Sequence, residues 1–138
     1  MSTNLLFAYG TIADPEFFGY LLKRKPVYAK AWLLDYKLLV NPESGYLFVK
    51  PAQGHQVTGQ LAEITAEELE ILDLWEEVPF YQREVLEVQA TAGTLKAFVY
   101  TQNQARGIAI SQGKPKERAS MLEEIKEFRR WLDRQQNH

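Results

Sequence analysis

Glu76 is the residue whose surroundings ask for a chemical explanation. It falls in a helical stretch opened by Thr65-Ala66-Glu67-Glu68, a capping box with Thr65 as N-cap and Glu68 three residues on. At about 100° per residue, Glu76 lands between Leu69 and Leu72 on the apolar side, while Glu70, Asp73 and Glu77 take the wet side. Glu68 also leans toward the apolar arc, and the capping box accounts for it. Glu76 has no such account and stands near the helix C-terminus, where the macrodipole disfavours negative charge. Burial and dipole together disfavour its charged form, the condition under which a carboxyl can take and return a proton near neutral pH. The plain alternative is a glutamate that snorkels to solvent or pairs with Arg83.

A second set of residues can hold the charge that such a proton transfer creates. Tyr9-Gly10-Thr11-Ile12 joins a short apolar run, Leu5 to Tyr9, to the start of a helix. Backbone N–H groups at a strand-to-helix junction can hold an anion or a developing oxyanion, and Gly10 permits close approach. Neither GxxxxGK[ST] nor GxGxxG is present, so a carboxylate or polarised carbonyl suits the junction better than a nucleotide phosphate. The bland reading is an ordinary turn with a buried Tyr9. Tyr81 and Arg83 follow Pro79 at the start of another strand, where Tyr81 can hydrogen-bond a substrate and Arg83 can steady a carboxylate; both also fit a structural corner.

The elements that must position these residues can be read in outline. Asp14-Pro15-Glu16 combines an N-cap, a proline at the first helical position and an acid in the first turn, opening a helix that stops before Pro26. Strands are expected at Ala31 to Val40, Gly45 to Val49, Val57 to Ile64, Arg83 to Gln89, with Val85 and Val88 near one face, and Thr94 to Thr101. The helix opened at Thr65 is expected to reach about Glu77. Gln102 to Lys114 reads as a loop. Pro115 to Gln136 reads as a helix whose Met121, Ile125, Phe128 and Leu132 form an apolar stripe, expected to dock on the outer face of the sheet, with a homodimer interface as the rival. The order predicts a single α+β domain over residues 1–138: a strongly curved sheet or small barrel flanked by helices.

Composition narrows the classes of function. With 138 residues, 46% hydrophobic and 25% charged, the chain can bury a core without staples. A net charge of -2 and the mixing of basic with acidic residues argue against nucleic acid as the main partner. Lys23-Arg24-Lys25 and Arg129-Arg130 read as solvated faces or helix ends. There is no cysteine, and the N-terminal apolar run is too short for a signal peptide or membrane span, which together fit a cytoplasmic protein.

Taken together, four blocks resemble one family. Leu6-Phe7-Ala8-Tyr9-Gly10-Thr11-Ile12 is similar to a hydrophobic strand ending in Tyr-Gly-Ser/Thr-Leu. Val57-Thr58-Gly59-Gln60-Leu61-Ala62-Glu63-Ile64 resembles V-x-G-E-L-Y-x-I. Leu72-Asp73-Leu74-Trp75-Glu76 with Val78-Pro79 and Tyr81-Gln82-Arg83 resembles L-D-x-F-E-x-x-P…Y-x-R, and Ala97-Phe98-Val99-Tyr100 looks like the closing strand. The chain resembles the gamma-glutamylcyclotransferase-like proteins, gamma-glutamylamine cyclotransferases among them, from about Leu5 to Thr101. The resemblance implies a small mixed β-barrel with flanking helices, Glu76 as catalytic proton acceptor, and residues 9–12 binding a glutamyl group through their backbone. It implies release of 5-oxoproline from a small-molecule gamma-glutamyl substrate, with no metal or organic cofactor; the oligomeric state, monomer or homodimer, stays open. Ile12, Trp75 and Glu77 depart from the family's usual Leu, Phe and Gly, which bears on substrate choice. The alternative of another class is a non-catalytic small-molecule-binding or interaction domain on the same fold; retention of Glu76 favours the enzyme.

Overall fold

A computed structural model describes residues 4–76, 81–102 and 107–136. Five strands close into a barrel in the order β1-β3-β2-β4-β5. They are β1 (Asn4–Ala8), β2 (Ala29–Val40), β3 (Leu47–Ile64), β4 (Gln82–Ala90) and β5 (Gly93–Thr101), with helices α1 (Pro15–Leu22), α2 (Ala66–Trp75) and α3 (Arg118–Gln136). The β1–β5 seam is parallel and the other pairings are antiparallel, so the barrel is mixed, as the family resemblance implies.

Alternation along the strands builds two apolar layers. Phe7, Leu33, Val49, Val57, Leu61, Val88, Ala97 and Val99 fill the barrel. Leu6, Ala8, Phe48, Ala62, Ile64 and Tyr100 point outward and are covered by Phe17, Phe18 and Leu21 of α1, Leu69 and Leu72 of α2, and Met121 and Ile125 of α3. β1 is therefore buried on both faces, which is why it reads as an unbroken apolar run. Gly59 is needed where β3 crosses β1: a Cβ there would stand 2.5 Å from the Ala8 carbonyl oxygen and 2.6 Å from the Phe7 ring.

Three expectations need correction. The runs Gly45 to Val49 and Val57 to Ile64 are parts of one 18-residue strand, β3. Pro51 and Gly54 look like breakers, but the chain bends there without leaving the sheet. β2 carries an irregularity between Leu34 and Tyr36, Asp35 takes a positive φ of 61°, and its carboxylate accepts the Gly54 N–H at 3.0 Å. Val85 and Val88 lie on opposite faces, as an odd spacing in a strand requires: Val88 is buried in the barrel and Val85 is exposed. The last helix begins at Arg118 rather than Pro115.

The helix starts follow their signals. Asp14 accepts from the N–H groups of Glu16 and Phe17, and both halves of the Thr65–Glu68 capping box are made. The α3 stripe docks within the chain, as expected, although chiefly into the layer shared with α1: Met121, Ile125 and Leu132 are buried. Burial of side chains this size contributes about 1.5–3 kcal/mol each. The basic clusters make ion pairs inside the chain, Arg24 with Glu68 and both Lys23 and Arg129 with Asp133. No helix among the described residues is long and apolar enough to cross a membrane.

Registers bring several strand ends to one rim. Gln82 pairs with Thr101, Val40 pairs with Leu47, and Leu6 runs parallel beside Phe98. The C-terminal ends of β1, β2 and β5 and the N-terminal ends of β3 and β4 therefore gather together. Within residues 102–114, expected as a loop, Ile108 makes a two-bond bridge to Val40 beside this rim.

Candidate active site

A cavity of about 850 Å³ opens at that rim, between the barrel, the C-terminal end of α2 and the first half of α3. Tyr9, Gly10, Thr11 and Ile12 line it, as do Glu76 and Tyr81. Six of the seven residues singled out in the sequence thus meet around one space, although they come from distant parts of the chain.

The junction after β1 turns through a 3₁₀ segment, Thr11–Ala13, with Gly10 before it. Its first internal hydrogen bond runs from the Ala13 N–H to the Gly10 carbonyl at 3.0 Å. The N–H groups of Thr11 and Ile12 lie ahead of that bond, in the position from which a helical turn offers donors. The loop is anchored from behind: the Tyr28 hydroxyl donates to the Ile12 carbonyl at 2.5 Å, and the Tyr9 hydroxyl donates to the Tyr100 carbonyl at 2.5 Å.

Glu76 is the C-cap of α2, one residue past the last helical position. Its N–H closes the helix on the Leu72 carbonyl at 2.8 Å, and its half-buried side chain borders the cavity. The wheel put it on the buried side, between Leu69 and Leu72; both leucines are buried, and the end of the helix lets Glu76 turn into the cavity. Glu77 and Pro79 lie outside the described residues.

Glu76 acts on two phenols. Burial, then the charge of Glu76 and the neighbouring Tyr81, push the Tyr9 hydroxyl well above its ordinary range. Burial, then the hydrogen bond to Asp73 and the charges of Asp73 and Glu76, do the same for Tyr100. Both hydroxyls are held protonated near neutral pH and serve as donors. Tyr81 is buried, and its hydroxyl donates to the Leu47 carbonyl at 3.3 Å.

Arg83 is the exception. It does not line the cavity; its guanidinium pairs with Asp73 and stacks 5.0 Å from the Phe98 ring centroid. Of the seven residues singled out in the sequence, it is the one outside the cavity lining.

Sequence reasoning missed the opposite wall. Tyr46, Lys116 and Glu124 line it as a cluster: the Tyr46 hydroxyl donates to Glu124 at 2.6 Å, and Lys116 pairs with Glu124 at 2.5 Å while lying 5.0 Å over the Tyr46 ring. Gly45, at φ 78°, sits against Lys116 so closely that a Cβ would meet its backbone nitrogen at 2.9 Å. Trp75 and Phe128 meet edge to face at 5.4 Å and both border the cavity, so Phe128 and Met121 are the two stripe residues of α3 that reach it. Tyr100 was the findable omission. Ala97 and Val99 face the barrel interior, so Tyr100 must face the helices. Among the described residues, no group of three His, Cys, Asp or Glu side chains is placed to hold a metal ion.

Residues 6–126 match the model of a family described as gamma-glutamyl cyclotransferase, AIG2-like. The chain belongs to that family. The matched span passes Thr101, where the motif resemblance ends, and takes in Lys116, Met121 and Glu124 of the far wall. Solved structures agree in fold. A gamma-glutamyl cyclotransferase superposes with a TM-score of 0.68 at 18% identity, covering 77% of this chain and 70% of that one. An AIG2-like protein from Mus musculus gives 0.68 at 21%, covering 86% and 98%, and a protein from Arabidopsis thaliana gives 0.69 at 20%, covering 99% and 86%. No curated protein matches the chain by sequence. Membership of the gamma-glutamyl cyclotransferase, AIG2-like family supports a cyclotransferase-type function at the level of the family.

Proposed function

We propose that the chain is a gamma-glutamyl cyclotransferase that releases 5-oxoproline and an amine, with Glu76 as general acid and base. The observation that carries this reading is the meeting of Glu76 with residues 9–12 across one cavity.

The reaction is intramolecular. The substrate α-amine attacks its own γ-carbonyl carbon, the new C–N bond closes a five-membered ring, and the γ-amide C–N bond breaks. Ring closure brings its own high effective concentration, so the protein has only to fold the substrate and move protons. Glu76 takes a proton from the α-ammonium and later delivers one to the departing amine. The N–H groups of Gly10, Thr11 and Ile12 hold the α-carboxylate or the oxyanion, and the anchored hydroxyls of Tyr9 and Tyr28 keep that turn from moving. No step calls for a metal or an organic cofactor. A cavity of about 850 Å³ is in the range that encloses drug-sized ligands, which leaves room for a leaving group beyond the glutamyl moiety.

The test is incubation with a panel of gamma-glutamyl compounds, varying the leaving amine from amino acids to peptide and side-chain amines, with 5-oxoproline as the product measured. Release from at least one class is expected. Absence of 5-oxoproline across the panel, with binding retained, would mark the chain as a binding domain on this fold.

A further inference from the structure

Asp73 stands three residues before Glu76 on the last turn of α2, and it is gripped from two strands at once. The Tyr100 hydroxyl on β5 donates to Asp73 Oδ1 at 2.7 Å, and Arg83 on β4 pairs with Oδ2. The guanidinium is itself braced on the Phe98 ring. The backbone of the same Tyr100 receives the Tyr9 hydroxyl. A continuous line of contacts therefore runs from Arg83 through Asp73 and Tyr100 to Tyr9, joining the end of α2 that carries Glu76 to the strand end that carries residues 9–12.

We propose that Asp73 and Arg83 are positioning residues: their clasp with Tyr100 pins the last turn of α2 to the barrel rim and so fixes Glu76 relative to residues 9–12. The inference rests on the reading of Glu76 as the acid and base. Neither Asp73 nor Arg83 lines the cavity, so the role assigned to them acts through Glu76 and not on substrate. The need for a clasp is physical. α2 has only ten residues, a length at which a helix is marginal by itself, and helix ends fray first. Its N-terminal end is fixed by the capping box and Arg24. Its C-terminal end has Glu76 as the capping residue itself, so the turn that carries the chemistry is the one that most needs an outside hold. A reacting group displaced by about 1 Å can cost on the order of a hundredfold in rate.

The experiment uses the full chain and the variants Arg83→Met, Asp73→Asn, Arg83→Lys and the double variant Asp73→Asn/Arg83→Met. The expected result is a fall in kcat of roughly ten- to a hundredfold for each of the first two, with KM within about threefold. Arg83→Lys should recover part of the loss, and the double variant should be no slower than the slower single one, because the residues act as a unit. Hydrogen exchange at the Glu76 and Trp75 amides should quicken about tenfold or more, with β1 and β5 unchanged. A raised KM at unchanged kcat would make Arg83 a substrate contact and overturn the proposal, and so would wild-type kcat together with wild-type exchange. If the parent chain releases no 5-oxoproline at all, the functional reading fails, and exchange at Glu76 alone decides whether the clasp exists.

Discussion

The two ends of α2 each carry a glutamate, and the chain treats them in opposite ways. At the N-terminal end, Glu68 is enclosed by partners: Thr65 N–H at 3.0 Å, Arg24 Nε at 2.6 Å and Arg24 Nη2 at 2.9 Å, while its own N–H reaches the Thr65 hydroxyl at 3.1 Å. The macrodipole favours a negative charge there. At the C-terminal end Glu76 stands where the dipole opposes its charge, and its side chain borders a cavity shared with the 3₁₀ turn and four tyrosines. The difference teaches what separates a carboxylate that holds a helix end from one proposed to do chemistry. The first is bound by the groups that close the helix start; the second stands against the helix dipole beside a cavity that a ligand can enter.

Removing each carboxylate should therefore produce crossed effects. Glu76→Gln keeps the shape and removes the base, so turnover of a gamma-glutamyl substrate should fall roughly a hundredfold or more. Denaturation should be unchanged or slightly later, since an unfavourable charge at the helix C-terminus is gone. Near-normal turnover in Glu76→Gln would end the proposed mechanism. Glu68→Ala should do the reverse. It breaks the capping box and leaves Arg24 without its bidentate partner, so urea titration should show a loss of about 1–2 kcal/mol with kcat/KM close to that of the parent. A large loss of activity at full stability in Glu68→Ala would erase the contrast.

This contrast was partly legible in the sequence, and the reason lies in range. The capping box spans four consecutive residues, so Glu68 was explained locally. Glu76 was conspicuous because no local motif explained it. Residues 9–12 were visible because a strand, a glycine and a helix start are adjacent in the chain. The parts that stayed hidden depend on closure of the barrel. That Arg83 grips Asp73 instead of facing the cavity, and that Tyr46, Lys116 and Glu124 form its far wall, follow from which strand ends share a rim. β3 was read as two strands because Pro51 and Gly54 are usual breakers, while the irregularity at Asp35 that accommodates them lies on the partner strand.

A smaller substitution sharpens the N-terminal half of the comparison. Thr65→Ala removes the hydroxyl that accepts the Glu68 N–H and leaves the Arg24–Glu68 pair in place. It should cost about 1 kcal/mol, less than Glu68→Ala, again with unaltered turnover. A cost equal to or above that of Glu68→Ala, measured by the same titration, would mean that the guanidinium adds nothing to the end of the helix.

The smallest expected effect is a pH dependence, and its sign follows from the same partners. The Arg24 hydrogen bonds, ahead of the contributions from Thr65, hold the Glu68 carboxyl below its ordinary value of 4.5. Between the folded and the ordinary value the unfolded chain binds the extra proton, so stability rises with pH across that interval. The contribution of Glu68 is therefore fully present above about pH 5 and is lost as the pH falls below 4.5 through the lowered folded value. Glu68→Gln lacks this titration. The stability difference between the parent and Glu68→Gln should stay constant from pH 7 to about pH 5 and shrink below that, while its magnitude stays modest because the pair is partly solvated and screened by salt. Parallel acid limbs for the two proteins would show that the Arg24–Glu68 clasp persists when its carboxyl is neutral. The N-terminal end of α2 would then be held by the Thr65 box alone, and charge would no longer separate the two ends of the helix.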